Sequence, residues 1–225
     1  MTDHGARAWP DVAAAEETLL VPLGSTEQHG LHLPFDTDTR IAVAVATGAA
    51  RLIPHTVVAP AVAYGSSGEH QAFDGTLSIG TPVLASVLIE LARSALPPFS
   101  RLVIVNGHGG NAEAVGHAVE TLDGEGRDVS TWWPDLRGDD PQADAHAGHT
   151  ETSLLLHLSP EAVRLDRAEP GNTERIDQLV PRLMADGVRP HSPTGVLGDP
   201  STASAERGAA LFDHLVESLI THLVS

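Results

Sequence analysis

The 225-residue chain contains no cysteine, no lysine, few aromatic side chains and no long apolar run. Without cysteine it can form no disulfide, no thiolate metal site and no thiol nucleophile. Without lysine its 13 basic residues are all arginine, set against 30 Asp and Glu, for a formal charge of −17. Nucleic-acid binding needs a basic surface that displaces counterions, so that balance argues against it. It argues equally against docking on an anionic membrane. No apolar stretch approaches the ~20 residues that span a bilayer. The opening "MTDHGARAWPDVAAAEE" has no basic segment leading into an apolar core, so no signal peptide is expected, and the expected location is the cytoplasm.

What is present is a recurring alternation. Short apolar runs at 18–24, 56–65, 101–107 and 128–133 read as buried strands. Helix-like spacing covers 38–52, 81–97, 111–123, 150–158 and 202–224, with Thr81-Pro82 marking a helix start, Thr81 as N-cap. Strands alternating with helices predict one α/β domain over 1–225, a mostly parallel sheet flanked by helices on both faces, with 1–17 as a flexible lead. The length suits a single core.

Ligands of such sheets gather where strands end, and there the histidines and carboxylates collect. "GSTEQHG" follows the first strand, "GSSGEHQ" the second, "NGHGGN" the third, and "HAGHTETS" comes after the fourth. Glu27 and His29, two apart in an extended segment, point the same way. With Asp38, His108 and Glu151 they form an oxygen-and-nitrogen set suited to zinc, iron(II) or manganese. Three carboxylates and two neutral imidazoles against two divalent cations leave a small positive excess to acidify a shared water. Asp38, with two oxygens, is the natural bridge, and His146 suits proton transfer better than ligation. Taken singly, each residue has a plainer reading. A strand-end histidine is ordinarily a hydrogen-bonded structural group, and Glu69, Asp139, Asp140 and Asp144 read as solvated. Asp38 and Thr150 serve equally as helix N-caps. Four such ends together make the plain readings improbable. There is no G-x-S-x-G elbow, H-E-x-x-H helix or P-loop lysine.

"GSTEQHGLHLPFDTD", "VNGHGGN" and "HAGHTETS", in this order, resemble the creatininase family of metal-dependent amidohydrolases over about residues 18–212. The resemblance implies a two-metal site, hydrolysis of cyclic or peptide amides, and a homo-oligomer, commonly a hexamer. It lays Glu27, His29, Asp38 and His108 on metal positions, Asp38 on the bridging one, and His146 beside the reacting water. Members acting on creatinine carry a metal-binding Glu where this chain has Gly110, so Glu151 is the expected substitute. "VAYGSSGEHQAFDGTLSIGT" and "TGVLGDPSTASAERG" look like the peptidase branch of the mycofactocin system, which releases the C-terminal dipeptide of a modified, ribosomally made precursor. The implied partner is thus a short precursor peptide. Candidate substrate-facing or ligand-supporting residues are His32, Asp36, Ser66, Ser67, Glu69, His70 and His149, with the loop 195–200. The rival expectations are an amidohydrolase of a small cyclic amide or formamide, and a metal-binding protein without catalysis.

Overall fold

A computed structural model describes residues 2–12, 16–136 and 142–225. Four parallel strands form the sheet: β1 (Thr18–Leu23), β2 (Thr56–Val58), β3 (Arg101–Asn106) and β4 (Val129–Trp132), in the order β2-β1-β3-β4. The register sets Leu19 beside Val57 and Leu102, and Leu102 beside Val129. Neighbouring side chains of the central strands face opposite ways. Leu20, Val103 and Val105 enter one core with helices α1 (Thr37–Leu52), α4 (His149–Leu158) and α6 (Ala205–Val224). Leu19, Val21, Leu23, Leu102 and Ile104 enter the other, with α2 (Thr81–Ala95) and α3 (Ala112–Gly124). A sheet buried on both faces explains why its strands read as continuous apolar runs.

The second expected strand, 56–65, is cut to three residues. Pro60 has no N–H for the ladder, yet the chain still runs beside β1 through hydrogen bonds from Ala59 to Leu20 and Val62 to Pro22. Thr81 is not the N-cap of α2. Gly80 precedes the helix with φ +77°, and the Thr81 hydroxyl instead meets that of Ser66 at 2.8 Å. Asp38 is not a cap either, because α1 begins at Thr37 and Asp38 lies within its first turn. Helix α5 (Ile176–Asp186) was not expected; Pro181 interrupts its sequence pattern, but Leu179 and Leu183 pack on Val188 and Leu197. In the lead, Asp3 bridges to Val58 and Arg7 pairs with Glu17 at 2.7 Å. Asp139 and Asp140 lie outside the described residues.

Asp144 is not a solvated acid. Its carboxylate accepts from the backbone N–H groups of His149 (2.6 Å), Thr150 (3.1 Å) and Asp199 (3.1 Å). It therefore caps α4 in place of Thr150, whose hydroxyl accepts from the Asp144 N–H. That pairing sets the position of the helix that presents Glu151.

Candidate metal centre

The four loops at the carboxyl edge of the sheet meet in one buried cluster. Asp38 lies at its middle. One of its oxygens faces His29 Nε2 at 3.0 Å; the other accepts from the Ser25 hydroxyl at 2.6 Å and faces His108 Nδ1 at 3.4 Å. His29 donates from Nδ1 to the Glu27 carbonyl at 3.1 Å, which turns Nε2 towards Asp38 and towards Glu151, 3.8 Å away. Glu27 and His29 thus converge as expected of residues two apart, here held by a compact loop. His108 Nε2 sits 3.2 Å from Glu27. Gly107 permits this approach, since a Cβ there would lie 2.7 Å from the Asp38 carbonyl oxygen. Glu151, in the first turn of α4, accepts from the N–H of Ala147 at 2.6 Å. Ala147 is a buried non-glycine residue with φ +52°, a conformation found where a site over-determines the backbone.

Two triplets of ligand atoms fall within 4.8 Å of one another and share Asp38: Glu27–Asp38–His108 and His29–Asp38–Glu151. A third, Glu27–His29–His146, brings in the proton-transfer candidate. His146 Nδ1 lies 3.6 Å from Glu27 and 4.0 Å from Glu151. Both oxygens of Glu27 are buried without a hydrogen-bond partner. A buried carboxylate faced by imidazole rings at 3.2–3.6 Å but lacking a well-formed hydrogen bond is costly unless a cation compensates it, so the donor set fits divalent metal.

The electrostatics are those of a crowded, dry site. Burial raises Glu27 to about 7 against the pull of His108, and raises Glu151 to about 7 against the pull of His29. Burial works against charge on His29, but the Asp38 carboxylate outweighs it and lifts His29 to about 10. Burial likewise works against ionised Asp38, yet His29 and His108 hold it well below the carboxylate range. His108 is raised by Glu27 and Asp38 despite its burial. Burial pushes His146 and His70 well below the ordinary imidazole value; His29 adds to the effect at His146, and His146 adds to it at His70.

The remaining candidates divide. His70 joins the cluster, with Nε2 3.4 Å from Glu27. The Ser67 hydroxyl and the Ser66 carbonyl both face His108 Nε2, at 3.4 and 3.2 Å, while the Ser66 hydroxyl is spent on Thr81. Glu69 is not simply solvated: its carboxylate stands 3.6 Å from His108 and is largely covered. It fills the space beside Gly110, where a Cβ would collide with both Glu69 and His108. Glu151 instead faces His29, so the carboxylate next to His108 on the Gly110 side comes from Glu69. Asp36 is not brought in; it is half-exposed and pairs with Arg40 one turn along α1. His32 bonds the Thr152 hydroxyl at 2.8 Å, and burial lowers it to about 4, with His29 adding to the effect. His149 bonds Thr202.

Three supporting amides were absent from the sequence reading. Asn106 donates to the His108 carbonyl at 2.7 Å, and Asn111 ties Asn106, Gly24 and Ser66 together. Gln28 reaches both His70 and His146. "NGHGGN" held the signal for the asparagines, as polar residues flanking a buried strand end. Gln28 had none beyond its place between two candidate ligands.

The family model described as creatinine amidohydrolase matches residues 6–223. A mycofactocin precursor peptide peptidase of Mycolicibacterium smegmatis is 53% identical over 203 residues, 88% of this chain and 81% of that protein. A creatinine amidohydrolase of Pseudomonas putida is 30% identical, over 92% of this chain and 89% of that protein. A manganese form of creatininase superposes with a TM-score of 0.80 at 26% identity, covering 99% of this chain and 97% of that one. A zinc form of a creatininase mutant gives 0.79 at 25%, covering 99% of this chain and 96% of that one.

Proposed function

The chain belongs to the creatininase family, and from that premise we propose that it is a two-metal peptidase. Its substrate on this reading is a short, modified precursor peptide, from which it releases the C-terminal dipeptide in mycofactocin biosynthesis. The observation that carries the reading is Asp38, whose two oxygens face separate imidazoles and serve both triplets. Similarity to precursor peptide peptidases at about half identity supports the substrate.

Glu27, Asp38 and His108 would hold one cation and His29, Asp38 and Glu151 the other, of the zinc, iron(II) or manganese group. When bound, such a pair acidifies water and polarises an amide carbonyl. The chain's own groups do the rest. Burial of the cluster excludes bulk water. His146 Nδ1 takes a proton from the attacking water and returns it to the leaving nitrogen, a role worth ~10²–10⁴ in rate. The C–N bond breaks as the new C–O bond forms, leaving a carboxylate and an amine. Ser66, Ser67 and Glu69 flank the centre where a peptide would lie. The reading includes a cytoplasmic homo-oligomer, the assembly being what the resemblance to commonly hexameric proteins implies; sedimentation of the purified protein tests it.

Asp38→Ala is expected to lose most bound metal and all detectable cleavage of a precursor-type peptide. Retention of two metals with full activity would end the bridging role. The 30% identity to a creatinine amidohydrolase keeps one alternative, hydrolysis of a small cyclic amide. Creatinine and precursor peptide offered to the same preparation separate the two.

A further inference from the structure

Gln28 lies between two candidate ligands, and its side chain is buried at the junction of three loops. Its Oε1 accepts from the Gly30 N–H at 2.9 Å, which fixes which end of the amide is nitrogen. Nε2 carries two hydrogens and has three neighbours: His70 Nδ1 at 2.8 Å, His146 Nε2 at 3.0 Å and the Gly195 carbonyl at 3.1 Å. One neighbour must go without.

The backbone of the same residue decides which. His146 Nε2 lies 2.9 Å from the Gln28 carbonyl oxygen, which can only accept. A lone pair on that nitrogen would oppose the oxygen, whereas a hydrogen donates to it. His146 Nε2 therefore holds a hydrogen and takes none from the amide. The two amide hydrogens go to Gly195 and to His70 Nδ1, so His70 Nδ1 is bare and its hydrogen sits on Nε2.

We infer that Gln28 is a positioning residue that assigns the two imidazoles their parts. Both adopt the same tautomer but present opposite atoms to the cluster. His70 offers an N–H towards Glu27, which bars that nitrogen from binding a cation. His146 offers the bare Nδ1 towards Glu27 and Glu151. Gly195 is required for this arrangement: its φ is +83°, and a Cβ there would collide with the Gln28 amide. The consequence for turnover rests on the peptidase reading, but the assignment of hydrogens does not.

The experiment is a long-range proton–nitrogen correlation spectrum of the zinc-loaded, histidine-labelled protein, paired with Gln28→Glu. In the natural chain His70 and His146 should both carry hydrogen on Nε2. A carboxylate at position 28 has no hydrogen to give, so His70 should move its hydrogen to Nδ1. His146, held by the unchanged backbone carbonyl, should stay as it was. Zinc content should be retained while kcat for the peptide falls ~10–100-fold, as outer partners of a metal site typically show. A natural-chain spectrum with hydrogen on His70 Nδ1 overturns the inference, whether or not the variant folds. So does a variant in which His70 is unchanged. If the tautomers are as stated but no peptide is cleaved, the peptidase reading fails and the assignment stands.

Discussion

At the scale of single residues, the pKa shifts decide how the centre responds to acid. His29 is lifted to about 10, and Glu27 and Glu151 to about 7, so near neutral pH His29 is protonated and the two carboxyls are partly so. A cation needs their lone pairs and must displace those protons. Affinity should therefore fall as pH drops through neutrality and rise above it. Zinc titrations by calorimetry in two buffers of different ionisation enthalpy should give different apparent enthalpies; identical values would show that no proton leaves. The convergence of these carboxylate and imidazole side chains was legible because ionisable groups at successive strand ends stand out against apolar runs. The amides were not. Gln28 meets Gly195 from 167 positions away, and nothing local marks a neutral side chain for such a partner. Asp36 misled because it shares a short acidic stretch with Asp38, yet the first turn of α1 sends the two in different directions.

At the scale of elements, position is set by a few polar anchors at helix and strand ends. Asp144 holds the start of α4 and the segment before α6 with three backbone N–H groups. Asp144→Ala leaves those donors without an acceptor, at a cost of ~1–3 kcal/mol. The shift should appear in urea unfolding, with zinc affinity falling in step because Glu151 rides on the same helix. An unchanged urea midpoint would show the anchor to be dispensable. The strands and five of the helices were readable from periodicity, but their ends were not. Pro60 shortened β2, and Gly80 rather than Thr81 took the position before α2. Helix α5 escaped because a proline in mid-pattern normally argues for a break. Pro181 lies inside the helix, where it forfeits one backbone hydrogen bond, and the burial of Leu179 and Leu183 holds the helix despite that loss.

At the scale of the whole molecule, the sheet joins segments far apart in sequence at one edge. Leu19, Leu102 and Val129 stand side by side, so the loops that follow must meet. The candidate ligands run from Glu27 to Glu151, and no fragment shorter than most of the chain contains them all. Cation binding therefore reports on the native state, not the unfolded one. At a hundredfold excess over Kd this adds about 2.7 kcal/mol, or about 5–10 °C in Tm for a chain of this size. Scanning the metal-loaded protein before and after exhaustive chelation measures it, and coincident transitions would remove cations from the fold's support. Among the described residues no helix is long and apolar enough to cross a membrane.

The hollow beside Gly110 has one further consequence. A side chain at 110 would press at once on the Glu69 carboxylate, the His108 ring and the Ser66 carbonyl, so an acid placed there would force all three to shift. Losing the acid at 69 without gaining one at 110 empties the hollow; gaining before losing crowds like charges into it. Positions 69 and 110 are therefore coupled through one small volume, and a change at either is felt at the other and at His108.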